Sequence, residues 1–224
     1  MYFVKEESNS SKIETIRQTP GRINSPTTWN AISLGPFYEI SENLTLARSH
    51  YEEDLKTEEA EHGQWHSHVG ITLNNLGRTL KAQGNTKDAY LHFLQALEVA
   101  EASFGPIHPE VALRSCILGD LLSDLGGYSE ARSHYQRAQQ IMESLSGKNH
   151  LDVAIILNSL GNTARAQGES AEARSFFARA LGIFRDNLGG EHPYTKITQE
   201  HLDTLPQTPS PEETLDEDDY GFYF

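Results

Sequence analysis

A 42-residue period runs through this sequence and constrains its fold more than any other feature. Leu34-Gly35, Leu76-Gly77, Leu118-Gly119 and Leu160-Gly161 fall at that spacing without slippage, and Leu202 continues the series. Other columns keep the same register. Ala47, Ala89, Ala131 and Ala173 form one, and Tyr51, Phe93, Tyr135 and Phe177 another. Gly63, Gly105, Gly147 and Gly189 form a third, and His66, His108, His150 and His192 a fourth. Self-similarity at one fixed period is the mark of a chain built from stacked supersecondary units.

Within a period the apolar spacing is helical and breaks once. Leu73, Leu76 and Leu80 lie at i, i+3 and i+7, which predicts a helix over roughly residues 68–82. Gly84 with Asn85 ends it, as a left-handed residue ends helices. Ala89, Phe93, Ala96 and Leu97 then mark a second helix running to about residue 103. Gly105-Pro106-Ile107-His108-Pro109 stops that one, and Pro109 suits the first position of the next helix, where its missing N–H is not needed. Each unit is thus a helical hairpin. Glycine inside a helix costs about 1 kcal/mol relative to alanine, so the recurrence of Gly77, Gly119 and Gly161 needs a cause. Close helix approach supplies one: Gly77 and Ala89 let the two helices cross tightly, and Phe93 fills the gap beside them. One hairpin cannot bury its whole apolar surface, so neighbours must stack into a solenoid with a concave face.

Two stretches carry a family resemblance. Leu73-Asn-Asn-Leu-Gly77 with Ala89, Phe93 and Ala96-Leu97 is followed by Gly105-Pro-Ile-His-Pro109. Leu157-Asn-Ser-Leu-Gly161 with Ala173, Phe177 and Ala180-Leu181 is followed by Gly189-Gly-Glu-His-Pro193. These resemble the tetratricopeptide repeat, and the period with its Gly-x-x-His linker resembles the kinesin-light-chain-like subgroup. The resemblance implies an all-α, right-handed superhelical solenoid of antiparallel helix hairpins with a C-terminal capping helix. The array is expected over residues 28–205, in units of about 28–65, 66–107, 108–149 and 150–191, with the capping helix at 192–205. Residues 1–27, rich in Ser, Pro and Gly, are too short for the long heptad coiled coil of a kinesin light chain, so a motor-subunit role is not expected. The first unit is degraded: Gly35-Pro36 falls inside its first helix, Glu42 replaces the helix-ending glycine, and Asp54 replaces a small alanine. It is read as a kinked N-terminal cap.

Two disordered tails are expected to flank the array. Residues 1–27 form the first. Residues 206–224 run from a Pro-rich linker through Glu212, Glu213, Asp216, Glu217, Asp218 and Asp219 into Tyr220-Gly-Phe-Tyr-Phe224. This acidic, aromatic end either stays solvated or docks in a groove, its own or a partner's.

Function is expected in the groove, which the first helix of each hairpin lines in such repeats. Side chains expected to face it are Asn74, Arg78 and Lys81, then Cys116, Asp120 and Asp124, then Asn158, Asn162 and Arg165. Asn74 and Asn158 lead, because an amide offers both donor and acceptor to an extended peptide, a role the resemblance also implies. Ordinary helix-surface polarity explains them equally simply. Arg78, Lys81 and Arg165 either meet acidic side chains of a ligand or pair within the groove with Asp120 or Asp124.

Catalysis finds no support. The ten histidines are mostly copies of the repeat, with His50, His92 and His134 sharing a position on the second helices. His62, His66 and His68 cluster without an evident carboxylate ligand, so no metal is expected. Cys116, the single cysteine, can form no intramolecular disulfide and lacks a nucleophile signature. No phosphate-binding loop, dinucleotide fingerprint or His-Glu-x-x-His motif appears, and no cofactor is expected. The net charge of −14 opposes nucleic-acid phosphates and anionic lipid, and makes a basic partner easier to accommodate. With no secretory signal and no membrane-length apolar run, a cytoplasmic location is expected. The leading expectation is therefore a scaffold or adaptor that binds a protein or peptide in its groove. The alternative is an assembly protein that associates through convex or end surfaces, self-association included.

Overall fold

The computed structural model describes residues 41–206, all within one compact unit spanning Tyr38–Phe224. Expectations for residues 1–40, including the Gly35-Pro36 kink, and for the acidic tail from residue 207 onward lie outside the described residues. The described chain forms eight helices and no strands. In order they are α1 (Ser41–His62), α2 (Ser67–Ala82), α3 (Thr86–Phe104), α4 (Pro109–Asp124), α5 (Tyr128–Ser146), α6 (Leu151–Ala166), α7 (Ser170–Leu188) and α8 (Pro193–Asp203). Each helix packs on the next, most extensively within the pairs α2/α3, α4/α5 and α6/α7. The first helices of these pairs are each 16 residues long and the second helices each 19.

Two kinds of turn separate the helices, and both depend on a glycine at positive φ. Gly84, Gly126 and Gly168 (φ +79° to +80°) sit inside the hairpins. There the following N–H returns to a carbonyl of the first helix: Asn85 to Leu80 and Gly127 to Leu122 at 2.8 Å, Glu169 to Ala164 at 2.9 Å. These bonds satisfy acceptors that a helix end otherwise leaves open. Glu42 occupies the corresponding position one period earlier, and there α1 runs through without a turn.

The second kind of turn explains the histidine column. His66, His108, His150 and His192 are the N-cap residues of α2, α4, α6 and α8. In each, the ring Nδ1 accepts a hydrogen bond from the backbone N–H two residues on, at 3.2–3.4 Å. A neutral imidazole nitrogen thus satisfies one of the orphan donors of the helix start.

The interior glycines also acquire a definite cause. A Cβ on Gly77 would lie 2.7 Å from the Phe93 ring, on Gly119 2.7 Å from Tyr135, and on Gly161 2.6 Å from Phe177. The aromatic ring does not merely sit beside the helix crossing; it lies on the glycine itself. Around this contact Leu76, Leu118 and Leu160 and Ala89, Ala131 and Ala173 are almost wholly buried, which sets one core layer per hairpin. Between hairpins, Arg137 meets Glu101 at 2.6 Å and Arg179 meets Glu143 at 2.8 Å, the same bridge repeated one period apart.

Candidate functional site: the polar face of the first helices

The first helices α4 and α6 touch one another directly, past the second helix that lies between them in sequence. Lys81, near the end of α2, reaches Asp124 at the end of α4 with Nζ 2.6 Å from Oδ2. The residues expected to line a groove lie on these three helices, but they are not equally open. Asn74 is buried, 5 % exposed, and its Oδ1 has no hydrogen-bond donor. Cys116 is buried as a free thiol. Arg78 is half-buried and engaged, while Lys81, Asp120, Asp124 and Arg165 are exposed. Asn158 and Asn162 are half-buried.

Short contacts hold most of the open side chains. In the fourth unit, Arg165 donates to Asn162 Oδ1 at 2.8 Å, and its guanidinium lies over the Phe177 ring, 5.8 Å from the centroid. His201 of α8 completes this corner: its Nδ1 is 3.4 Å from Asn158 Oδ1, and its ring packs on Phe177 at 5.0 Å. Desolvation, with the Arg165 charge behind it, lowers the pKa of His201. Sequence reasoning missed this residue, which belongs to no histidine column and faces Asn158 only because α8 continues the row of first helices.

The third unit differs. Tyr135 donates its hydroxyl to Asp120 Oδ1 at 2.7 Å. The Asp120 carboxyl is pushed up to about 6, chiefly by desolvation and also by Asp124, against the pull of the Tyr135 hydroxyl and Lys81. Water still reaches this side chain, which limits how far desolvation can act. The Cys116 thiol is driven well up by burial and by the fields of Asp120 and Asp152, so it is held as an unreactive thiol. Tyr135 is likewise raised, by burial first and then by Asp120. Asp152, in the first turn of α6, is pushed up to about 6 by desolvation, with His150 pulling the other way. His150 Nδ1 lies 3.4 Å from Asp152 Oδ2, but its lone pair already accepts the Asp152 N–H, so it donates nothing to that oxygen.

The three clustered histidines have a structural explanation. His62, His66 and His68 place their ring centroids 4.7, 4.8 and 5.9 Å apart. The same contacts recur elsewhere with other residues: Phe104 stacks on His108 at 4.4 Å, and Tyr194 packs on His192 at 5.4 Å. The cluster is the ordinary packing around a cap histidine at a junction where both neighbours happen to be histidine. Among the described residues no group of three His, Cys, Asp or Glu is disposed to hold a metal ion, and no helix is long and apolar enough to cross a membrane.

Comparison with known proteins agrees with this architecture. No curated protein sequence matches the chain. Its fold is similar to the crystal structure of BtubC (BKLC) from P. vanneervenii, with a TM-score of 0.65 and 20 % identity, over 71 % of this chain and 64 % of that one. The chain thus spans less than two thirds of that relative's length. It is also similar to the nearly identical TPR-like repeats of a kinesin light chain candidate from Podosopora anserina, with a TM-score of 0.62 and 18 % identity, over 71 % of this chain and 75 % of that one. The tetratricopeptide repeat model matches residues 69–144, 110–186 and 152–202, together more than half of the sequence. With its hairpins, capped turns and glycine–aromatic contacts in the same register as those matches, the chain belongs to the tetratricopeptide repeat family.

Proposed function

We propose that the chain is a non-catalytic scaffold or adaptor that holds a peptide segment of a partner protein along the face built by α2, α4 and α6. The tetratricopeptide fold generally serves protein interaction rather than catalysis. The observation that carries the finer reading is that this face is polar and its open side chains are braced by one another. Lys81 rests on Asp124, Arg165 on Asn162 and the Phe177 ring, and Asp120 on Tyr135. Side chains already ordered lose less entropy when a ligand arrives, and half-buried amides such as Asn158 can pair with an extended backbone. The net charge of −14 opposes nucleic acid and anionic membrane as alternative ligands. In affinity purification from native lysate, Asn158→Ala and Arg165→Glu are expected to abolish partner capture. An unchanged set of partners would sink the reading.

A second reading, assembly through an edge, has one observation in its favour. Trp65, Phe104 and Ile107 are 51 %, 42 % and 62 % exposed around two successive inter-hairpin turns, which Ser103 Oγ ties together by donating to the Trp65 carbonyl at 2.6 Å. Under that reading, Trp65→Ser with Ile107→Ser lowers the sedimentation coefficient and Arg165→Glu does not.

A further inference from the structure

We propose that the third unit's part of this face receives a basic side chain, Lys or Arg, of the bound peptide, seated against Asp120 and Asp152 beside Cys116. The inference rests on the peptide-binding reading and specifies the chemistry of the ligand.

Asp152 is only 3 % exposed, and its Oδ2 has no hydrogen-bond donor. Among the described residues neither Lys nor Arg bridges it, and His150 cannot serve because its Nδ1 is committed to the Asp152 N–H. Asp120 accepts from Tyr135 and from no cation, while the Lys81 ammonium is held on Asp124. Both carboxyls lie close enough to Cys116 to oppose ionisation of its thiol, so the three groups surround one place between α4 and the first turn of α6. Both carboxyls are also held up near 6, the mark of carboxylates short of a counter-charge. Independently, Asn74, one period before Cys116, is 5 % exposed with its Oδ1 also lacking a donor.

These unpartnered atoms are all acceptors, so the complementary ligand brings N–H donors and positive charge. A guanidinium offers five donors in a planar fork, and an ammonium offers three. The overall negative charge draws such a ligand in. An acidic ligand would place another carboxylate beside two that already lack a counter-ion.

The test is fluorescence anisotropy on the full chain with a labelled peptide of alternating Ala and Arg and with its Ala/Glu counterpart. The Arg peptide is expected to bind and the Glu peptide not. Asp120→Asn and Asp152→Asn should each weaken binding about tenfold, the loss expected for one charge-assisted contact. Asp186→Asn removes the same charge from the exposed side of α7 and should leave affinity within about twofold. Thermal melting is the second readout. Asp152→Asn should raise Tm while weakening binding, whereas a carboxylate that only holds the fold together would lower Tm. Equal loss in Asp186→Asn, or no binding of the Arg peptide, would overturn the inference. Preference for the Glu peptide, lost in Arg165→Glu, would overturn it while leaving the peptide-binding face intact. If neither peptide binds and Arg165→Glu leaves partner capture unchanged, both readings fail together.

Discussion

The third and fourth units share one frame and fill it differently. In α6, Ile156 and Leu157 are each 1 % exposed; one period earlier in α4 the same places hold Arg114, 7 % exposed, and Ser115, 0 % exposed. Arg114 is tolerated because it donates to Glu110, one turn earlier, at 2.9 Å. Desolvation lowers its pKa even so. Ser115 finds no partner for its hydroxyl. Phe177 becomes Tyr135, whose hydroxyl emerges to meet Asp120, and Asn158 becomes Cys116. What stays constant is the left-handed glycine, the cap histidine, the interior glycine and the ring lying on it. That frame is sufficient to hold the hairpin, and it frees the remaining positions to differ in charge and polarity.

The comparison breaks first where the frame itself is cut. Phe177→Ala removes the fully buried ring that lies on Gly161 and should cost about 3–5 kcal/mol in urea unfolding, with Tyr135→Ala comparable in the third unit. Equal tolerance to Leu-sized and Ala-sized replacements would contradict the frame. Gly161→Ala forces a methyl within 2.6 Å of that ring and should cost about 1–3 kcal/mol, and Gly119→Ala should match it if the two units share one geometry. His150→Ala deletes the N-cap acceptor of α6 for about 1 kcal/mol, and His150→Asn should recover most of it.

A pH effect sharpens the contrast, because it belongs to the third unit and its junction with α6. Asp120 and Asp152 both titrate near 6 when folded, above the value of about 4 for an unfolded aspartate. Between those values the folded state binds protons that the unfolded state has released, so stability falls as pH rises from about 4 to about 6 and levels off above. Lys81, Asp124 and Tyr135 act on Asp120, and His150 on Asp152. The double substitution Asp120→Asn with Asp152→Asn should flatten that slope in melts taken across the window; an unaltered slope would place its origin elsewhere. The smallest effect expected is from Arg179→Ala, which opens one partly exposed bridge to Glu143 and should change stability by less than about 1 kcal/mol.

Much of this was legible in the sequence because a period tests each inference several times. The Leu73, Leu76 and Leu80 spacing marks α2 to within a residue of its start and end, and Gly84 marks the turn that follows. The cap role of His150 was hidden because histidine is not a customary N-cap residue, so only its recurrence in the turn was readable. The burial of Arg114 and Ser115 runs against the leucine pattern of their columns, since tertiary packing, not side-chain polarity, decides who lies inside. Asp152 reads as an ordinary first-turn acid favoured by the helix dipole; its enclosure depends on α4, which local sequence does not encode. His201 meets Asn158 across 43 residues, beyond any pattern visible along the chain.

Crosslinking tests the peptide-binding face most directly. A photoreactive amino acid replacing Asn162, on that face, or Ser175, exposed on α7, can be introduced into the full chain and irradiated in native lysate. A binding face on α2, α4 and α6 predicts partner adducts from position 162 that Arg165→Glu removes, and none from position 175. Adducts from 175 with none from 162 would contradict it.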